Sequence, residues 1–335
     1  LDTAIVPLFK DPHIVDITFP YTKDFKKELH IPKDALYKGK PRSRIAYLCA
    51  SKRMDWEPVA WTEFDGKNIV FTDIQKGPVM RVATYERGRL RFWTDPFEIN
   101  VSNEFHFFTP SDSVQDVTLF AKYTLRADEM FLNRMIGGTF EGSNDPDFRE
   151  KEVLYLINEK PKRLQTVVQS YSSKSYRYVR YIGPKDSHCN IAEAAFYTPN
   201  DTTLLKGKVI GTPGCFQKDG SHEYTNVFDG DVTTSFDYIE PSGGWSGLDL
   251  GTPKQIGRIV YTPRSYDNYI RSGDDYELFY CARRNNWKSL GDQRSKADSL
   301  IYIKIPVNAL LLLCNNTRGI QERIFVYTAA EQIWK

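Results

Sequence analysis

The chain has 335 residues, of which 41% are hydrophobic, 14% aromatic and 26% charged, and its formal net charge is +2. This length exceeds one ordinary domain and predicts two or three, each with its own core. The basic residues are spread along the chain without a dense block, so composition gives no support for binding to nucleic acid or to a charged membrane surface.

The longest apolar run, residues 309–314, is far shorter than the roughly 20 residues that a membrane-spanning helix needs. It predicts a buried strand and no membrane insertion. The sequence begins at Leu1 without a basic segment and a following apolar stretch, so we expect any targeting peptide to have been removed or to lie outside this sequence.

The five cysteines show no CxxC spacing, and three of them lie in strand-like runs, where a buried free thiol is the simplest interpretation. A disulfide between the other two, Cys189 and Cys215, is an alternative that the sequence leaves open.

From Val15 to about Phe97, short runs rich in Val, Ile, Thr and aromatic residues predict strands. They are VDITF (15–19), RIAYLCA (44–50), PVAWTEF (58–64), NIVFTDI (68–74), VMRVATY (79–85) and RLRFW (89–93). The turn sequences at 65–67 and 87–89 predict hairpins. The spacing favours a β-sandwich of the immunoglobulin or fibronectin type over residues 1–101, followed by a linker from Asn100 to Gln115.

Two later stretches of the chain resemble each other, which predicts an internal duplication. The paired segments are 123–126 with 261–264, 138–141 with 274–277, and 195–198 with 325–328. Only the later stretch is preceded by further strand-like segments, GKVIGT and WSGLDLG. We therefore expect a partial or diverged β domain over residues 102–200 and a complete one over residues 201–335.

A candidate metal loop lies at Asp229-Gly230-Asp231-Val232-Thr233-Thr234. Two carboxylates and hydroxyls surround a glycine that permits a tight bend, and hard oxygen ligands on such a bend suit calcium. The alternative is a plain turn, because Asp side chains in such sequences often accept hydrogen bonds from local amides.

A candidate ligand site follows from the chemistry of sugar binding, which uses aromatic faces and planar hydrogen-bond donors on neighbouring loops. The residues that supply these groups are Tyr238, Trp245, Arg264, Tyr266, Asn268 and Tyr269. The polar loop 263–269 carries most of them. Arg264 could instead form a structural ion pair, and a Trp at the start of a strand often packs into the core.

Three segment patterns carry a resemblance to known families. The order VFDGDVTTSFD, GGWSGLDLGTPKQIGRIVYTPR, GDDYELFY with WKSLG, and ERIFVY resembles a discoidin domain, the galactose-binding-like coagulation-factor type C domain. Residues 102–200 resemble only its latter half, through FEGSND, YRYVRYIGP and NIAEAAFY. The segments from AYLCASKRMDWEPVAW to RLRFWTDPF resemble the β domain that can follow a transglutaminase-like catalytic domain in secreted bacterial proteins.

The resemblance implies an all-β chain of tandem β-sandwiches, the C-terminal one an eight-stranded jelly roll. Its loops would bind sugars or, in other members of the family, phospholipid or protein, beside a structural calcium. The implied metal ligands are Asp229, Asp231, Thr234 and the carbonyl near Phe228, with a carboxylate from the closing strand. That carboxylate would be Glu322 in the last unit. Glu193 has the same place in the middle unit, where no metal is expected because the loop is missing.

No catalytic constellation is recognisable in the sequence. The five histidines have no metal-type spacing, no nucleophile motif is present, and GGTFEG does not lead into a helix as a phosphate loop would. His188 and Cys189 are neighbours on an extended chain, whose side chains point to opposite faces. We therefore expect no enzyme activity from this chain.

Two functional hypotheses remain, and each belongs to a different class. The first is a noncatalytic carbohydrate-binding region of a secreted, cell-surface or periplasmic protein, with a glycan or glycoprotein as partner. The second is a structural accessory region of a larger secreted enzyme, transglutaminase-like or glycan-processing, whose catalytic domain lies outside this sequence. A protein-binding adhesin that uses the same loops is a third alternative.

Overall fold

The computed structural model describes residues 25–51, 53–64, 68–100, 102–123, 126–199, 203–284, 287–318 and 322–335. Within these ranges the fold is all-β, as predicted, with antiparallel strand pairs in several sheets. The strand predicted at 15–19 and the turn predicted at 65–67 lie outside the described residues.

The first sandwich is built from short strands joined by tight turns. They are β1 (Phe25–His30), β2 (Ile45–Ser51), β3 (Glu57–Glu63), β4 (Val70–Gln75), β5 (Val79–Glu86), β6 (Arg89–Phe92), β7 (Phe97–Ile99) and β8 (Phe105–Phe107), with a 3-10 helix at Lys33–Ala35. β1 pairs with β4, and the larger sheet has the order β3-β2-β5-β7-β8, with β6 also paired to β5. Five predicted strands are confirmed by β2 to β6.

The predicted hairpin between β5 and β6 has a two-residue turn. Arg87 and Gly88 have φ angles of 53° and 77°, the left-handed conformations that a tight hairpin turn requires. β8 falls inside the predicted linker and pairs with β7, so the first sandwich extends beyond the boundary predicted at residue 101.

The second sandwich includes the strands on both sides of residue 200. After β9 (Val114–Leu119), the chain forms α1 (Arg126–Arg134), β10 (Thr139–Ser143), β11 (Lys151–Leu156), β12 (Thr166–Gln169), β13 (Ser175–Ile182), β14 (Ile191–Tyr197), β15 (Lys208–Gly211), a 3-10 helix (Tyr224–Phe228), β16 (Trp245–Gln255) and β17 (Arg258–Pro263). The sheet orders are β11-β10-β13-β16-β15 and β12-β17-β14. None of the helices in the described ranges has the length and apolar character of a membrane span.

The boundary predicted between residues 200 and 201 therefore lies inside this sandwich. β13 pairs with β16, and β14 pairs with β17, so both sheets combine strands from the predicted middle and last units. One shared core fills the space between the two sheets, with Phe140, Phe196 and Tyr261 among its largest buried side chains. The loop and strands that resemble the first half of a discoidin domain complete the sandwich that precedes them in sequence.

The third sandwich consists of β9 together with β18 (Asp275–Cys281), β19 (Trp287–Arg294), β20 (Leu300–Pro306), β21 (Leu311–Asn315), β22 (Ile324–Thr328) and β23 (Glu331–Trp334). Its sheets have the orders β19-β18-β21-β22-β23 and β20-β9. Because β9 precedes the second sandwich, that sandwich is an insertion between β9 and β18. The entry and exit segments run side by side, with Ala121 bridged to Tyr269.

The first and third sandwiches stack face to face. A buried cluster between the sheets β3-β2-β5-β7-β8 and β19-β18-β21-β22-β23 joins Cys49 and Ala83 of the first to Leu310, Leu312 and Ile324 of the third. Leu311 and Leu313 point the other way, into the core under β9 and β20. Burial on both faces explains why the apolar run 309–314 does not alternate with polar residues, and it confirms the predicted buried strand.

The paired segments that predicted an internal duplication occupy equivalent places in the fold only in part. β10 and β18 have equivalent places, since each pairs with the following hairpin strand and with a third strand, β13 or β21. However, β14 lies in a three-stranded sheet and β22 in a five-stranded one. The segment 261–264 lies at the end of β17, whereas its partner segment leads into α1.

Candidate functional site

The predicted metal loop is a compact, internally bonded turn. Asp229 Oδ1 accepts the Asp231 N–H at 2.7 Å, and its Oδ2 accepts the Thr234 hydroxyl at 2.7 Å. Asp231 Oδ1 accepts the Thr233 N–H at 2.9 Å. Gly230 has a φ of 83°, which explains the glycine at the bend. The loop thus gathers the carboxylates and hydroxyl that the sequence indicated.

The closing carboxylate comes from Glu193 on β14. Its Oε1 accepts the Gly230 N–H at 3.0 Å. Glu322, the residue predicted for this role, lies elsewhere, where its carboxylate accepts a hydrogen bond from Arg53 Nη2 at 2.8 Å. The reason is the strand pairing described above, which places the loop on the second sandwich and not on the third. The expectation that the middle unit binds no metal depended on the boundary between residues 200 and 201, which the structure does not have.

The electrostatics of this loop favour a positive charge. Burial, reinforced by the neighbouring Asp229 carboxylate, raises the pKa of Glu193 to about 8. Hydrogen bonds from the Thr233 side chain and backbone lower the pKa of Asp231. A group that must hold a proton beside another carboxylate is one that a cation would also stabilise.

The donor set fits calcium by its chemistry. Glu193, Asp229, Asp231 and Thr234 offer hard oxygens from three carboxylates and a hydroxyl, which are ligand types that calcium prefers. Their oxygens also bond the loop's own amides and hydroxyls. Across the described ranges, no group of three or more His, Cys, Asp or Glu side chains has the spacing of a formed metal site. Binding would thus require these side chains to rotate toward the ion.

Arg264, the central residue of the predicted ligand loop, lies in an internal polar network. Its Nη1 donates to Asp237 Oδ2 at 2.5 Å, and the other oxygen of Asp237 accepts from Asn190 Nδ2 at 2.7 Å. Asn190 Oδ1 in turn accepts from Arg134 Nη1 at 2.8 Å. The Arg264 guanidinium also lies 4.3 Å from the centroid of the Phe131 ring. The network links the α1 helix to the end of the second sandwich.

Tyr266 is the most exposed aromatic residue of the predicted set, with 46% of its surface accessible. Its ring centroid is 5.7 Å from that of Phe131, so an aromatic face lies beside the Arg264 network. Asn268 and Tyr269 belong to the segment that leads into the third sandwich and are buried. The Asn268 carbonyl accepts the Lys122 N–H at 2.9 Å, which gives this residue a structural role.

Tyr238 and Trp245 lie outside the loop 263–269. The half-buried Tyr238 ring packs against Phe236 at a centroid distance of 5.9 Å. Trp245, at the start of β16, packs against Phe148 at 5.7 Å and lies under the Arg180 guanidinium. The structure therefore gathers Arg264 and Tyr266 and assigns the other four predicted ligand residues to packing positions.

Sequence reasoning missed Phe131, Arg134, Asn190 and Asp237 as neighbours of Arg264. They come from α1, the segment before β14 and the segment before β16, which are far apart in sequence. Asp237 could have been predicted from the sequence, because it is a carboxylate next to the proposed ligand residue Tyr238 and can pair with an arginine. The contribution of α1 had no such signal.

All five cysteines are free thiols, so Cys189 and Cys215 do not form a disulfide in this structure. Cys189 is buried, and burial raises the pKa of its thiol to about 12. Its thiolate is therefore scarcely populated at neutral pH.

Searches of protein-family models, curated proteins and solved structures return no match to this chain.

Proposed function

We propose that this chain is a noncatalytic carbohydrate-binding region of a secreted or cell-surface protein, organised beside a structural calcium. The observation that supports it best is the exposed Tyr266 ring, which packs against Phe131, the same ring that the Arg264 guanidinium faces. Sugars stack their C–H faces on aromatic rings and take hydrogen bonds from planar donors. The Arg264 guanidinium carries five N–H donors, one of which bonds Asp237.

Calcium would support this site by ordering the loop from Asp229 to Thr234. The residues that would hold it are Glu193, Asp229, Asp231 and Thr234, and the ion would supply charge that neutralises the facing carboxylates. The strand β14 connects the candidate calcium loop with the polar network around Arg264. Glu193 lies on this strand, and Asn190 of the network immediately precedes it.

The experiment is glycan-array screening of the whole chain, followed by calorimetry with the sugars retained. The Tyr266→Ala variant should lose about two- to tenfold in affinity, because a stacked aromatic ring contributes roughly 0.5–1.5 kcal/mol. The control is Tyr171→Ala, since Tyr171 is 93% exposed and follows β12 at the opposite end of the sandwich. No sugar bound by the wild-type chain, or equal loss in both variants, would overturn the proposal.

A structural accessory region is the second candidate, and one observation favours it. Arg264 is only 15% exposed and is already bonded to Asp237, so the main predicted donor serves the fold. The face-to-face packing of the first and third sandwiches would suit a rigid support for a catalytic domain. In that case removal of this region from the complete protein lowers the stability of the remainder and leaves glycan retention unchanged.

A further inference from the structure

A groove of about 310 Å³ crosses the outer face of the three-stranded sheet β12-β17-β14 and ends at the loop around Gly230. Side chains of β17 alternate, with Ile259 and Tyr261 in the core and the residues between and beside them in the groove. This volume lies at the lower end of the range of small-molecule sites, roughly 300–1,000 Å³. The Arg264 network and Tyr266 are not among its lining residues.

Strand register arranges the groove in three rows of different chemistry. Residues directly opposite each other are Arg258 with Tyr197, Val260 with Ala195 and Val167, and Thr262 with Glu193. One end is therefore cationic and aromatic, the middle is apolar, and the end at the metal loop is polar and acidic. Thr262 is four residue steps along the strand from Arg258, which at about 3.3 Å per step gives a length of roughly 13 Å.

The cationic end has an unused donor. The Arg258 guanidinium lies 4.0 Å from the centroid of the Tyr197 ring, which fixes its orientation. Its Nε atom is shielded from solvent and has no hydrogen-bond partner among the described residues. A buried N–H of a charged group without an acceptor is costly, and a carboxylate is the acceptor that fits a guanidinium edge best.

The polar end has an unused hydroxyl. Thr262 is 1% exposed, and its Oγ1 atom has no hydrogen-bond partner in the described part of the chain. Glu193 is next to it across the strand pair, with one carboxylate oxygen taken by Gly230. A ligand hydroxyl in this position can accept from Thr262, which a water-excluded hydroxyl requires.

We propose that this groove binds a disaccharide that ends in a uronic acid. The sugar carboxylate pairs with Arg258, the C–H faces of the rings lie on Val167 and Val260, and a hydroxyl of the second ring accepts a hydrogen bond from Thr262. The site is separate from the one at Tyr266, so the two proposals succeed or fail independently.

Calorimetry on the whole chain tests the proposal with glucuronate-ended and galacturonate-ended disaccharides and their carboxyl-reduced neutral forms. The wild-type chain should bind at least one acidic form about tenfold or more tightly than its neutral form, as expected for a buried charge-assisted pair. Arg258→Gln should remove this preference and leave affinity for the neutral form nearly unchanged. Thr262→Val should weaken both forms by a similar factor.

The matched control is Arg294→Gln, because Arg294 is 70% exposed and lies on the third sandwich. It should bind both the acidic and the neutral forms like the wild type. Melting temperatures near that of the wild type show that the variants are folded, and Arg258→Lys provides a second cationic variant with intermediate affinity. No binding of either acidic form at millimolar concentration, or an acid preference that persists in Arg258→Gln, would show the proposal to be wrong.

Discussion

The buried Arg81 at the contact between the first and third sandwiches allows a quantitative prediction. It is 0% exposed, and its Nε donates to the Thr94 carbonyl at 3.1 Å while its Nη2 donates to the Arg283 carbonyl at 2.5 Å. The guanidinium also lies 4.1 Å from the centroid of the Phe92 ring. One side chain of the first sandwich thus bonds the backbone of the third across the shared core.

We expect Arg81→Met to destabilise this part of the protein by about 2–4 kcal/mol. Met replaces most of the apolar contact, but one buried and one partly buried carbonyl lose their donors, and each such loss costs roughly 1–3 kcal/mol. Relief of the buried positive charge offsets part of that cost.

The assay is urea unfolding followed by tryptophan fluorescence, because the Trp56 ring lies 5.4 Å from the Arg81 guanidinium. The control is Arg91→Met in the same sandwich, where the arginine is 48% exposed and pairs with Glu86 at 2.9 Å. A surface ion pair contributes little to stability, so the control should shift the transition little. Equal shifts in both variants, or a loss below about 1 kcal/mol for Arg81→Met, would refute the reasoning.

Two further predictions concern the metal loop and the buried thiols. Calcium at about 100 times its dissociation constant should raise the free energy of unfolding by about 2.7 kcal/mol in a melting assay. Glu193→Gln should remove this effect, and Glu322→Gln should preserve it. The reverse pattern would contradict the assignment of Glu193. Burial raises the pKa of Cys49 and of Cys189 to about 12 from an ordinary 9.0. The unfolded chain releases these protons from about pH 9 while the folded chain retains them, so the urea midpoint should fall between pH 9 and pH 11. The fall should be smaller in Cys189→Ala, and a midpoint constant over this range would contradict the burial of these thiols.

Local patterns in the sequence were sufficient to predict most strands of the first sandwich. Alternation and turn residues located β2 to β6 and the turn at Arg87 and Gly88, because side-chain direction and positive φ angles are properties of neighbouring residues. β1 was missed since only Leu29 of its described side chains is buried, which leaves no alternating pattern to read.

The order of segments along the sequence did not predict the boundaries of the sandwiches. The linear order of segments from 226 to 335 resembles one complete domain, yet β16 and β17 pair with the strands that precede residue 200. Hydrogen bonding between strands depends on which edges meet in space, and an antiparallel pair can join segments at any separation along the chain. This pairing is also what places Glu193, and not Glu322, beside the loop from Asp229 to Thr234.

By itself, the sequence determined the all-β class, the local turns and the oxygen-rich loop from Asp229 to Thr234, since each depends on residues close together in the chain. Only the tertiary structure decided which groups meet: the Glu193 carboxylate with the Gly230 N–H, Arg264 with Asp237, and Arg258 with Tyr197. Register and insertion fix these pairs, because a shift of one residue in a strand turns its side chains to the opposite face.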